Sequence, residues 1–264
     1  MPFWTLIGLR AGRATTRWPL GEGPDGQDGV LGMPRLHKER CVPHCGECAD
    51  ICPSGALGLG DPHDLTLDYA RCIACQLCVE ACPHGALETT RNWALGTRDR
   101  AALRSDAGPR EDRARTAIER VFGRSLHVRH VDAGSCNGCE SEIQALNNPF
   151  YNLHRLGVFF TPSPRFADLL LVTGPVTRAM RAPLEATYAA LPEPRWVMAA
   201  GTCATGGYNG GGYACHNGLE EILPVDLWLP GCPPNPAAFL DALLVLLDRR
   251  PPRATAEGNR HADD

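Results

Sequence analysis

The sequence predicts an α+β domain built from two cysteine-rich repeats, followed by an α/β domain with a mostly parallel sheet. Three observations carry this. CGECADICPSGAL from Cys45 recurs as CQLCVEACPHGAL from Cys75 at an offset of 30 residues. Candidate strands and helices alternate beyond Arg124. A charged stretch with a different pattern separates the two regions. With 264 residues the chain is long enough for two small domains, each with a modest core. Hydrophobic content of 44% and charged content of 21% are ordinary for a soluble globular protein, whereas 13 cysteines are far above the usual frequency. The number is odd, no signal segment with an apolar core is present, and the cysteines fall in tight groups. That pattern points to metal ligation in a reducing compartment rather than to a disulfide framework.

Taken in order, residues 1–20 hold aromatic and aliphatic side chains with Arg10, Arg13 and Arg17 and no acid, before a Gly/Asp/Pro-rich run. Residues 1–32 are therefore expected to form an extension that docks on something. Residues 33–90 hold the repeat, whose duplicated halves imply a pseudo-twofold domain. Residues 91–125 carry nine arginines and five acids between two acidic regions. Interleaved acids and the lack of an aromatic stacking platform beside the arginines argue against nucleic acid, so a solvated or partner-contacting linker is expected. It contains a predicted helix at 111–122, opened by Pro109. Beyond it, strands are predicted at 126–131, 157–160, 168–172, 195–199 and 226–229. The last helix has Asn235 as N-cap, Pro236 at its first position and Pro251-Pro252 as its stop. The second domain thus spans 126–250, with a mostly parallel, flavodoxin-like sheet, and 251–264 form a polar tail. The most apolar helix candidate, 239–247, is short and contains Asp241, so no direct transmembrane segment is expected.

Cys72-x2-Cys75-x2-Cys78-x3-Cys82-Pro83 has the spacing of the bacterial ferredoxin run, in which three closely spaced thiolates hold one 4Fe-4S cluster and the fourth reaches to the other. Cys41-x3-Cys45-x2-Cys48-x3-Cys52-Pro53 repeats it with one extra residue between the first two cysteines. By the cross-over rule Cys41, Cys45, Cys48 and Cys82 form one ligand set, and Cys72, Cys75, Cys78 and Cys52 the other. The first domain is accordingly ferredoxin-like. Structural zinc also uses paired cysteines, but two complete four-cysteine runs each ending in Cys-Pro are not its habit.

Four further cysteines, Cys136, Cys139, Cys203 and Cys232, each follow the C-terminal end of a predicted strand. In an open parallel sheet those ends share one edge, where ligands bind, so four thiolates from distant places can converge on a third 4Fe-4S cluster. Cys215, the thirteenth, reads as an inert thiol. GGYNGGGY lacks the Lys and Ser/Thr of a phosphate loop, so no nucleotide is expected.

The stretches VDAGSCNGCESEI, PSPRFADLLLVTGPVTRAM, GTCATGG and PVDLWLPGCPPNPAAF resemble the small subunit of energy-converting, membrane-bound NiFe hydrogenases of the formate hydrogenlyase type. That subunit has a homologous counterpart in NADH:quinone oxidoreductase, complex I. The N-terminal part, including GLRAGRATTRWPL, resembles the two-cluster ferredoxin-type subunit of the same complexes, so the chain looks like a fusion of two subunits. Cys136 and Cys139 show the hydrogenase spacing Cys-x2-Cys rather than the adjacent cysteines of complex I. The resemblance implies an electron-transfer subunit whose catalytic NiFe centre lies in a separate large subunit. It also implies membrane subunits as partners, formate dehydrogenase or ferredoxin as electron donor or acceptor, and a place on the cytoplasmic face of the membrane. It puts Glu140 and Glu142 near where such complexes pass protons; acids that favour a helix N-terminus are the alternative. A complex I-like quinone oxidoreductase and a free-standing carrier are the rival functions.

Overall fold

The structure, a computed structural model, describes residues 3–11, 18–19, 25–43, 45–60, 64–105, 125–207 and 212–247. The chain forms two compact units, Met1–Val30 and Leu31–Asp264. In the first unit, helix α1 (Phe3–Ala11) has no acid in its first turn and Arg10 in its last. Phe3, Trp4, Ile7 and Leu9 are all exposed, Phe3 by 83%.

In the larger unit the sequence repeat becomes a structural one. Strands β1 (Arg35–Leu36) and β4 (Leu87–Glu88) pair antiparallel, as do β2 (Leu57–Gly60) and β3 (Asp64–Leu67). Two short helices, α2 (Glu47–Asp50) and α3 (Leu77–Ala81), present the buried Cys48 and Cys78. Residues 30 apart play the same part: Ala56 and Ala86 are buried, as are Leu57 and Leu87, beside Leu65, Leu67 and Tyr69. Each Cys-Pro-x-Gly-Ala turn needs its glycine, because Gly55 and Gly85 sit at φ +59° and +61°. That turn aims the next N–H back at the sulfur, so Ala56 N–H donates to Cys52 Sγ and Ala86 N–H to Cys82 Sγ, both at 3.3 Å.

Five parallel strands follow: β5 (Leu126–Asp132), β6 (Val158–Phe160), β7 (Leu169–Thr173), β8 (Trp196–Ala200) and β9 (Leu227–Leu229), in the order β6-β5-β7-β8-β9. β7 and β8 are buried along their whole length, the uninterrupted apolar run expected of a parallel strand covered on both faces. The helices are α4 (Gly138–Ala145), α5 (Arg181–Ala190), α6 (Thr202–Gly206) and α7 (Pro236–Leu246). Helix α7 is wholly buried and begins as its sequence dictates, with Asn235 Oδ1 accepting from Ala238 N–H at 2.8 Å behind a first-turn proline. The predicted strands 168–172 and 226–229 start one residue early. Asp168 and Asp226 stand before β7 and β9, and their carboxylates accept from His127 N–H and Val197 N–H of neighbouring strands, both at 2.8 Å. Among the described residues no helix is long and apolar enough to cross a membrane.

Over residues 91–105 the expectation of a solvated or partner-contacting linker is corrected. Leu95 and Leu103 are buried in the core of the ferredoxin-like part. Thr97 exchanges two backbone hydrogen bonds with Trp228 (3.0 and 2.8 Å), extending the sheet beyond β9. Arg98 donates to the carbonyl of Leu246 at 2.7 Å and to that of Val245, a cation at the C-terminus of α7. Arg100 grips Asp68 through two hydrogen bonds of 3.0 and 2.8 Å. The physical reason is composition: the apolar residues Trp93, Ala94, Leu95 and Leu103 bury themselves, and the arginines beside them find acceptors. The predicted helix at 111–122 and the tail 251–264 lie outside the described residues.

Candidate iron-sulfur sites

The two N-terminal cysteine runs are redistributed by the fold. Cys41, Cys45, Cys48 and Cys82 line one hollow, with Val42, Leu65, Pro83, His84 and Ala86. Cys52, Cys72, Cys75 and Cys78 line a second, with apolar walls from Pro34, Leu57, Leu67 and Ile73. Each run thus sends its fourth cysteine to the other set, and the extra residue before Cys45 leaves Cys41 on the first hollow. Among the described residues no three His, Cys, Asp or Glu side chains close on a single metal ion. In these two sets the sulfurs ring a hollow instead.

The thiols feel one another within the same groups. Burial pushes Cys48 up to about 11, with Cys82, Cys41 and Cys45 adding to the rise. Burial likewise takes Cys72 up to about 12, where an N–H from Ala74 pulls it down and Cys78, Cys52 and Cys75 push it up. Cys78 rises to about 11 through burial, then Cys52, Cys75 and Cys48. Cys52 moves the other way: burial raises it, but donors from Leu57, Ser54 and Ala56 outweigh that effect. The buried thiols of Cys48, Cys72 and Cys78, raised in this way, keep their protons at neutral pH unless cationic iron takes the protons' place, and with the other cysteines around each hollow they fit a thiolate-ligated cluster.

The third set assembles at the C-terminal edge of the parallel sheet. Cys136 and Cys139 follow β5, Cys203 lies in α6 after β8, and Cys232 follows β9. Gly201 N–H donates to Leu229 O and Thr202 N–H to Gly231 O, both at 2.8 Å, which ties the Cys203 and Cys232 loops together. A Cβ on Gly201 would come within 2.7 Å of Cys139 Sγ. Burial lifts Cys139 to about 12, with Glu140, Cys203, Cys232 and Cys136 contributing. It lifts Cys203 to about 11, with Cys232 and Cys136 next in order and Cys215 the weakest neighbour. Cys215 itself lies in a turn bridged to Thr177.

Residues 136–246 match the family described as NADH ubiquinone oxidoreductase, 20 Kd subunit, and residues 40–86 match a 4Fe-4S dicluster domain. "Probable membrane-bound hydrogenase subunit mbhJ" of Pyrococcus furiosus is 44% identical over 131 residues, which cover 49% of this chain and 78% of that protein. The chain belongs to the NADH ubiquinone oxidoreductase 20 kDa subunit family. "Formate hydrogenlyase subunit 7" of Escherichia coli is 42% identical over 151 residues, 57% of this chain and 59% of that protein. The chain therefore spans somewhat over half the length of that relative. A solved chain from a membrane-bound sulfane sulfur reductase, an archaeal respiratory membrane complex, aligns with a TM-score of 0.43 at 30% identity, covering 53% of this chain and 77% of that one.

Glu140 of this 20 kDa-type region is held by its surroundings. Ser135 Oγ donates to Glu140 Oε2 at 2.7 Å, and Thr173 Oγ1 donates to Oε1. His130 Nε2 lies 2.9 Å from the same Thr173 hydroxyl and 3.6 Å from Glu140. Burial lowers the pKa of His130 against the pull of Glu140, so the ring is neutral near pH 7. Burial raises the pKa of Glu142. Ser135, Thr173 and His130 had no motif to betray them. Thr202 and Thr205 were also missed, although their places on either side of Cys203 in GTCATGG are a signal. Both are buried: Thr202 Oγ1 donates to Cys72 O and Thr205 Oγ1 to Ala70 O, each at 2.9 Å.

Proposed function

We propose that the chain is the electron-transfer subunit of a membrane-associated, energy-converting NiFe hydrogenase complex of the formate hydrogenlyase kind. On this reading it relays electrons through three 4Fe-4S clusters to or from a NiFe large subunit. Cys41, Cys45, Cys48 and Cys82 would hold the first cluster, Cys72, Cys75, Cys78 and Cys52 the second, and Cys136, Cys139, Cys203 and Cys232 the third. When bound, a 4Fe-4S cluster supplies a one-electron carrier whose potential follows its charge, hydrogen bonds and exposure.

The observation that carries the reading is the joint between the second and third sets. Thr202, next to Cys203, donates its hydroxyl proton to the carbonyl of Cys72, so a single hydrogen bond separates the two ligand loops. On this reading the joint would place the second and third sites next to each other within one compact unit. Cys48 and Cys78, one from each N-terminal set, are close enough for the charge of Cys48 to raise Cys78. Glu140, beside Cys139 and fixed by Ser135 and Thr173, is the candidate proton relay. The order β6-β5-β7-β8-β9 supports a flavodoxin-like sheet, with residues 126–250 as its domain and 33–90 as the two-cluster domain. Residues 1–32 would dock on a partner, in keeping with the exposed apolar helix α1. The membrane subunits, a formate dehydrogenase or ferredoxin, and a location on the cytoplasmic face complete the proposal.

The family match to a complex I subunit favours a second reading, a quinone oxidoreductase. Nickel analysis of the complex purified on this chain separates the two: stoichiometric nickel in a co-purifying large subunit is the expected result, and a nickel-free complex that reduces quinone sinks the hydrogenase.

A further inference from the structure

The joint between the second and third sets contains a charge that no neighbour among the described residues answers. Residues 70–72 are clamped to α6, since Thr205 and Thr202 bind the carbonyls of Ala70 and Cys72 on either side of Arg71. Gly206 allows the approach: a Cβ there would lie 2.4 Å from Ala70 O and 2.8 Å from Arg71 Cγ. The Arg71 stem therefore packs on the helix that carries Cys203, while its backbone is bonded to Cys72. Two other arginines of this region are spoken for, Arg100 by Asp68 and Arg98 by the end of α7. Among the described residues Arg71 makes no ion pair, and its buried Nε has no hydrogen-bond acceptor. An arginine carries a permanent charge, and partial burial without a counter-charge is costly.

We propose that Arg71 is an electrostatic tuning residue whose counter-charge is the negative charge gained on reduction at the second and third cysteine sets. The inference rests on those sets holding clusters. A positive charge beside them stabilises the reduced form, raises both potentials relative to the first site, and draws the electron toward the sheet. A unit charge on the order of 10 Å away, at an effective dielectric of about 20, changes a one-electron equilibrium by about tenfold or more.

The test is a redox titration of the full chain, purified anaerobically with its clusters and followed by EPR and iron analysis. Arg71→Met keeps a stem on Gly206 and removes the charge, and Arg71→Lys keeps the charge. Arg71→Met is expected to shift the second site by about tenfold, about 59 mV for one electron, toward lower potential. The third site should shift less in the same direction, the first site should not move, and the Lys variant should match wild type. Unmoved second and third potentials in an Arg71→Met chain with full iron would overturn the inference alone, as would an equal shift at all three sites. Should Arg71→Met fail to retain its second cluster, the Lys variant decides: wild-type potentials support the role of the charge and a tenfold shift refutes it. A wild-type chain with no iron at these sites would overturn the cluster assignment itself, and this inference with it.

Discussion

The ferredoxin-like part and the parallel-sheet part solve the same problem in opposite ways. The first gathers its cysteines in two local runs and then exchanges one between them, so Cys52 and Cys82 serve the hollow opposite their own run. The second draws Cys136, Cys139, Cys203 and Cys232 from three loops nearly a hundred residues apart, and depends on strand order to bring them to one edge. Local spacing makes a set robust to the rest of the fold. Convergence makes it hostage to the sheet.

The largest expected effect breaks that difference open. On the proposed three-cluster reading, Cys203→Ser should remove the third cluster and lower iron from about twelve to about eight per chain, leaving both N-terminal clusters intact. Cys82→Ser should damage the first set, not the second with which it shares its run. Iron, acid-labile sulfide and EPR report both, and loss of the second cluster's signal alone in Cys82→Ser would refute the exchange. Glu140→Gln comes next: hydrogen turnover should fall about tenfold or more, as expected on losing a proton-transfer group, while dithionite still reduces every cluster. Wild-type turnover would leave Glu140 as a carboxylate that merely orders the Cys139 loop through Ser135 and Thr173. A smaller effect tests the joint. Thr202→Val leaves a buried carbonyl at Cys72 unsatisfied and should cost about 1–3 kcal/mol in thermal or denaturant unfolding with full iron retained. Unchanged stability would mean that the two halves are not held there. Cys215→Ser should change nothing in iron content or EPR, because its place bridged to Thr177 lies outside the four-cysteine set. Loss of the third signal would show that the wrong ligands were named.

The N-terminal half was almost wholly legible from spacing, because a cysteine run is local and its glycine and alanine positions repeat with it. The sheet was legible as alternation, since β7 and β8 are continuous apolar runs and Asn235-Pro236 announces α7. Strand ends were less so: Asp168 and Asp226 look like strand residues, yet their carboxylates serve neighbouring strands. Over 91–105 the net charge suggests a solvated linker, but the burial of Trp93, Leu95 and Leu103 outweighs it. Thr173 and His130 were invisible for a different reason. They meet Glu140 only after β5 and β7 have paired, with His130 opposite Leu171 and Asp132 opposite Thr173.

Segment 91–105 has a consequence for anyone who cuts the chain. Ser105 is tied twice to Leu67, its Oγ accepting from Leu67 N–H at 2.8 Å and its own N–H donating to Leu67 O at 2.9 Å. Thr97, eight residues earlier, is stitched to Trp228. A nick beyond Ser105 and before Leu126 spares every one of these ties, so the two fragments should travel together on a column. A fragment that stops short of Thr97 forfeits the stitch to the sheet and keeps the Thr202 and Thr205 bonds to residues 70–72, so it should be held more weakly.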